Sequence, residues 1–225
     1  MDKSLSLTEK LYLLAVHPER GGIRMSSSNA LRHVLAGALI FEMVVSKNIL
    51  LDHKNIRLLN PKSKDPLHVF VLEKLLKQKN QMKISGLISK LSFSAATLRR
   101  HVQENLVRKR LLRMEEKRFL FFKWKKPVLI NRQVVFKLQD EIRKLISKNT
   151  SGEEEIMLLS LLRPLGMIKS LFPDRNKRRE ANIVLKKMTV DSQVSDSVSA
   201  AIAAANAVAA AVSVAAVSAA AGRGR

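Results

Sequence analysis

LVRKRLLRMEEKRFLFFKWKKP, residues Leu106–Pro127, is the stretch whose reading decides the rest. Two short apolar runs, Leu111–Leu112 and Phe119–Phe122, flank a polar stretch, and cations surround both. The pattern reads as strand, turn, strand, with the turn expected at Glu115–Glu116–Lys117 and the end set by Pro127. Trp124, the only tryptophan, stands among Lys123, Lys125 and Lys126. Aromatic and aliphatic side chains beside ammonium groups suit either an anionic membrane surface or a nucleic-acid backbone. Because alternate strand residues face opposite ways, Phe119 and with it Phe121 are expected in the core, and Phe122 or Trp124 outside it.

Outward from this segment the chain reads as helix. Ser6–Leu7–Thr8–Glu9 before an apolar run is a capping-box signature for a first helix, which Pro18 and Gly21–Gly22 should end in a turn. Ser26–Ser27–Ser28–Asn29 then offers caps for a helix over 30–45, apolar nearly all round and therefore central. Asn48–Leu51 and Asn55–Leu59 read as a small strand pair around Asp52–His53–Lys54. After a linker at Pro61–Pro66, helices are expected over 67–79, 84–91 and 95–108, the last capped by Ser94. Beyond the hairpin come an amphipathic helix over 131–147, one opened by Glu153–Glu154–Glu155, and a basic helix over 175–187. The uncharged run Val198–Ala221 is long enough to span a bilayer but consists mainly of alanine, so a buried, close-packing helix is the better reading. Gly222–Arg225 reads as a frayed tail. The expected architecture is mainly α: one helical domain over residues 1–221, with a protruding β-hairpin and a buried Ala-rich C-terminal helix.

With 225 residues and 46% hydrophobic content the chain can bury a full core. Its net charge of +22 and pI near 10.7 exceed what solubility requires and imply attraction to polyanions. No cysteine is present, which removes disulfide and thiolate chemistry and fits a reducing cytosol. The N-terminus lacks a signal-peptide pattern, so a cytoplasmic, peripherally membrane-associated location is expected. The five histidines (His17, His33, His53, His68, His101) include no pair at metal-ligand spacing. There is no phosphate-cradling glycine loop and no nucleophile elbow. Glu42, inside the apolar helix, reads as a paired structural carboxylate rather than a catalytic base. No enzyme, metal or cofactor is expected.

From Arg99 to Lys126 eleven basic residues face three glutamates, a local net charge of +8. A helix followed by a basic hairpin also describes a winged-helix nucleic-acid binder, with Ser94–Arg108 as recognition helix and Arg113–Lys126 as wing. Against it, the helix offers few Asn, Gln or Ser side chains for base edges, and an acidic wing tip suits phosphate poorly. A second basic cluster, Arg175, Lys177, Arg178, Arg179, Lys186 and Lys187, lies on the late helix.

Several segments, in order, resemble one family. They are LTEKLYLLAV before a glycine turn, AGALIFEMVVSKNILLD, KDPLHVFVLEKL, the NLVRKRLLRMEEKRFLFFKWKKP hairpin, and VSAAIAAANAVAAAVSVAAVSA. Together they are similar to the Golgi phosphoprotein 3 family, and the likeness covers almost the whole chain. The resemblance implies a largely helical globule with an exposed hairpin used in membrane contact or self-association. It also implies recognition of phosphatidylinositol 4-phosphate, which eukaryotic members hold with a tryptophan and three arginines. Those positions fall here on Ser27, Ala36, Ala96 and Arg99, so only one is kept, which points to a bacterial-type member. Arg32, Arg100 and Arg24 are the nearby cations expected to stand in. The resemblance further implies the cytosolic face of the Golgi, and glycosyltransferase retention there, for eukaryotic members. The expected function is therefore phosphate-bearing headgroup binding through Arg99, Arg100, Arg32 and Arg24. Phe122, Lys123, Trp124, Lys125 and Lys126 of the hairpin would serve membrane contact or homo-oligomerisation, with no specific nucleic acid.

Overall fold

The structure, a computed structural model, describes residues 5–52, 55–78, 80, 82–148 and 152–190. Among them are ten helices and five short strands. Helix α1 (Leu7–Ala15) is buried along its whole length. Its capping box is complete: Glu9 N donates to Ser6 Oγ and Ser6 N donates to Glu9 Oε2. Helix α3 (Leu31–Val45) lies against it, buried at eleven of its fifteen positions. Such all-round burial follows from a sequence with no polar stripe, and each buried Leu or Ile contributes about 1.5–3 kcal/mol over exposure.

Glu42 of α3 aims at the N-terminus of α1, where Oε1 accepts the Thr8 amide at 2.6 Å and Oε2 lies 3.8 Å from His68 Nε2. A carboxylate there satisfies an amide that the helix itself leaves unpaired and meets the positive end of its dipole. The structural reading of Glu42 holds.

The four serine and asparagine residues before α3 act differently from expectation. They form a short helix of their own, α2 (Met25–Ser28), and α3 starts after Ala30 with no side-chain cap. Ser27 is spent elsewhere, donating its hydroxyl to the Leu165 carbonyl at 2.7 Å. Strands β1 (Ile49–Asp52) and β2 (Asn55–Leu58) pair antiparallel, and β3 (Met82–Lys83), which the sequence did not reveal, extends the sheet in the order β1–β2–β3. Helix α4 (Pro66–Leu76) begins at Asp65, whose carboxylate accepts the Leu67 amide, with Pro66 in the first turn. Helices α5 (Ile84–Phe93) and α6 (Ala95–Arg108) are joined by Ser94, which makes no side-chain cap.

Strands β4 (Leu112–Phe119) and β5 (Phe122–Leu129) form the predicted hairpin, but its turn is Leu120–Phe121. The expected turn residues Glu115 and Glu116 sit mid-strand, opposite Lys126 and Lys125. Opposite charges directly across the ladder stabilise this register, and the same residues at a turn would lose that pairing. Pro127 does not end the strand; it faces Met114 within the ladder. Phe121, expected in the core, is 97% exposed. The side chains of Phe119 and Phe122 lie outside the described part.

Helices α7 (Gln133–Lys148), α8 (Glu153–Leu162), α9 (Ile168–Leu171) and α10 (Arg175–Val190) complete the described chain. One buried cluster runs from Leu5 to Leu185 and takes in side chains of every helix longer than four residues. The Ala-rich run 198–221, the tail 222–225 and His53 lie outside the described residues.

Candidate functional site

Helix α1 ends where Pro18 and two left-handed glycines force the chain to reverse. Gly21 (φ 64°) and Gly22 (φ 74°) close the turn, with His17 N bonded to the Gly22 carbonyl and Gly21 N to the His17 carbonyl. A Cβ at Gly21 would meet Val128 Cγ2 at 2.7 Å and the Pro127 carbonyl at 2.8 Å, so the turn must be glycine to seat on β5. Gly22 N donates to that same carbonyl at 2.6 Å. The loop is thus fastened to the base of the hairpin, and Arg24 N closes it by bonding the Ala15 carbonyl.

Three cations converge on His17. Its pKa is lowered first by desolvation, then by the charges of Arg24, Arg20 and Lys126, with Glu19 opposing. Its Nδ1 accepts the Glu19 and Arg20 amides, which requires that nitrogen unprotonated. Arg24 is half-buried, its own pKa is lowered by desolvation, and its Nε is buried with no hydrogen-bond partner.

Arg99 lies on α6, which packs against α1. Leu98, Val102 and Leu106 fix α6 against the core, and Gln103 donates to the Tyr12 hydroxyl at 2.6 Å. Burial raises the pKa of that fully buried tyrosine, while Gln103 and the charge of Arg99 work against the rise. Arg99 is half-buried, and its Nε is also buried and unpartnered. Such an N–H costs roughly 1–3 kcal/mol unless something completes it. Each of the two arginines thus has a half-buried side chain with an open donor: Arg24 in the loop after α1, its backbone amide on Ala15, and Arg99 on α6, its charge acting on Tyr12.

The other expected site residues divide differently. Arg100 and Arg32 are exposed; Arg100 lies 3.8 Å from Glu104, and Arg32 lowers the pKa of His33 behind the dominant effect of desolvation. Ala36 is in the core, Ser27 is buried and committed to Leu165, and Ala96 is exposed. In the hairpin, Lys123, Trp124 and Lys125 are exposed and Lys126 is half-buried beside Gly22. The half of the hairpin beyond Glu115 and Lys126 has no buried described side chain, so its apolar tip stands roughly 13 Å beyond the packed base. Leu120 (73% exposed) holds φ at 52°, and Phe121 follows it. Glu115 is the acid that the hairpin's cations hold: Lys117 and Arg113 lower its pKa, and Arg113 donates to it at 2.7 Å.

A comparison of the sequence with models of known families matches the Golgi phosphoprotein 3 (GPP34) model over residues 7–211, nearly the whole chain. The chain belongs to the Golgi phosphoprotein 3 family. No curated protein matches it. Within this Golgi phosphoprotein 3 fold, Arg24 and Arg99 are half-buried, whereas Arg32 and Arg100 are exposed. Two exposed apolar residues escaped the sequence reading: Met25 (94% exposed), next to Arg24, and Phe93 (91% exposed), where α5 turns into α6. Burial alone reveals them: Met25 opens a serine run, and Phe93 ends the apolar pattern of α5. The tip could have been found, because equal strand arms centred on Leu120–Phe121 place both glutamates opposite lysines.

A large cavity of about 1210 Å³ lies elsewhere, lined by residues of α1, α3, α4 and α8. Its buried acids are occupied: Glu9 by Lys109 at 2.6 Å and the Ser6 amide, Glu42 by the Thr8 amide. Its charge pattern holds the fold.

Proposed function

We propose that this protein docks on anionic membranes and binds the phosphate-bearing headgroup of a lipid between Arg24 and Arg99. The observation that carries the reading is that Arg24, in the loop after α1, and Arg99, on the helix α6 that packs against α1, are both half-buried with open Nε donors. Guanidinium is the side chain best suited to phosphate oxygens, and a phosphate would complete donors the fold leaves unmet. The hairpin supplies the second signal. Its tip can bury Leu120 and Phe121, each contributing about 1.5–3 kcal/mol, while Lys117, Arg118, Lys123 and Lys125 each add about 1 kcal/mol near an anionic surface. Stable anchoring takes two such signals, and no described helix is long and apolar enough to cross a membrane. The role is binding rather than turnover.

The headgroup is left to experiment because Ser27, Ala36 and Ala96 do not supply the ligands that the family resemblance implies. Flotation with phosphatidylcholine vesicles carrying phosphatidylserine, phosphatidic acid or phosphatidylinositol 4-phosphate, at fixed ionic strength, tests the reading. Arg24→Met with Arg99→Met should weaken binding to the preferred vesicle by about tenfold or more. Failure to bind any anionic vesicle, or tight sequence-selective duplex binding at physiological salt, would overturn it.

A further inference from the structure

Helix α10 is basic for reasons that neither the headgroup site nor the hairpin uses. Its buried side is Ala181 and Leu185. On the adjoining face Arg175, Arg178, Arg179, Asn182, Ile183 and Lys186 recur at helical spacing. A cationic helix face is ordinarily just a solvated surface. This one is concave: a groove of about 930 Å³ opens there, and Arg163, from the end of α8, lines it with the α10 residues. Five cations thus line one depression, with no carboxylate among the described residues lining it. The nearest acid on the helix's own entry, Asp174, is engaged as the N-terminal cap, accepting the Lys177 amide at 2.9 Å. Arg178 is braced by the Pro173 carbonyl and its own carbonyl accepts from Asn182, which fixes the start of the helix. Ile183, 61% exposed, supplies an apolar patch on the same wall.

Four arginines in one groove repel one another, and a multiply charged anion relieves that repulsion. We propose that the α8–α10 groove is a second anion site, separate from the Arg24–Arg99 pair, for a ligand carrying two or more phosphate groups. A phosphate monoester carries at most about two negative charges, fewer than the cations lining the groove, which match a chain or cluster of phosphates. The phosphates can belong to a soluble polyphosphate or to a polyphosphorylated headgroup on a membrane, and the chemistry of the groove is the same for both.

Titration calorimetry of the full chain with inorganic tripolyphosphate, beside flotation on phosphatidylcholine vesicles with and without phosphatidylinositol 4,5-bisphosphate, separates the two sources. Arg175→Glu with Arg179→Glu should weaken binding in at least one arm by about tenfold or more, and Arg163→Gln by about threefold to tenfold. Lys77→Glu with Lys90→Glu, exposed positions remote in sequence that remove the same charge, should leave that arm within about twofold. Loss confined to the tripolyphosphate arm assigns a soluble ligand, and loss confined to vesicles assigns a lipid. Equal weakening by the two double reversals, no binding of either probe, or binding of duplex DNA alone would overturn the proposal. Thermal melts check that each variant is folded, and tripolyphosphate should raise the melting temperature of the parent but not of the Arg175/Arg179 variant.

Discussion

The charged side chains at the two ends of α1 are treated in opposite ways. At its N-terminus Glu9 and Lys10 are buried, Glu42 is half-buried, and all three are closed off: Glu9 binds Lys109 and the Ser6 amide, Lys10 binds Glu154, and Glu42 binds the Thr8 amide. Toward its C-terminus Arg24 and Arg99 are half-buried with donors left open. Buried charge that serves the fold is completed by the fold itself, because an unpaired ion in a low dielectric is costly. Charge that serves a ligand must leave its partner to come from outside. The contrast sets the ions that the fold itself completes apart from the two it leaves half-buried and open.

Four substitutions and one titration can break or sharpen it. Glu9→Ala should have the largest effect on stability, about 2–4 kcal/mol in chemical denaturation, because it removes the capping box and the Glu9–Lys109 ion pair, whose partly exposed ammonium limits the loss. Glu42→Ala should follow, at about 1–3 kcal/mol, by leaving the Thr8 amide unsatisfied. Neither should alter vesicle affinity once the folded fraction is matched. Arg99→Met should do the reverse: a melting curve near the parent's, with vesicle binding weakened about tenfold, equivalent to about 1.4 kcal/mol. A large stability loss in Arg99→Met would place that residue with the structural ions. Leu120→Gly should weaken vesicle docking while stabilising the fold slightly, by up to about 1 kcal/mol, since glycine accepts the positive φ at no steric cost.

The smallest effect is on pH. In the folded chain the pKa of His17 is lowered, so protonation is harder there than in the unfolded chain. The stability it contributes is present above the unfolded value near 6.5 and is lost as pH falls through and below it. Melting temperature measured from pH 7.5 to 5 should fall less in His17→Asn than in the parent. Equal slopes would show that the Arg20–Arg24–Lys126 cluster does not sense the imidazole.

Much of this was legible because local rules sufficed. Ser6 with Glu9 predicts the start of α1, Asp65–Pro66 has the chemistry of a helix start, and three glutamates in a first turn predict α8. Periodicity places α6 at 95–108, as found. The misreadings have a common cause. A serine run can cap a helix or become one, and only the bond from Ser27 to Leu165, 138 residues away, shows which. A two-glutamate turn is reasonable from composition, yet cross-strand pairing with Lys125 and Lys126 outweighs it. β3 is two residues long and exists only because β2 offers an edge.

The sequence by itself determined the helical class, the cap at α1, the central helix α3, the existence of a basic hairpin and the family. These depend on spacing and on residues near one another, where propensity and pattern act directly. The tertiary structure decided how deeply each cation is placed. Arg24, Arg32, Arg99 and Arg100 are equivalent as letters, but only Arg24 and Arg99 are drawn half under the surface beside α1 with donors unmet. Likewise only packing lifts Leu120 and Phe121 clear of the core and sets Arg163 beside α10. Burial and long-range pairing, which no local pattern encodes, make the difference between a charge that solvates and a charge that binds.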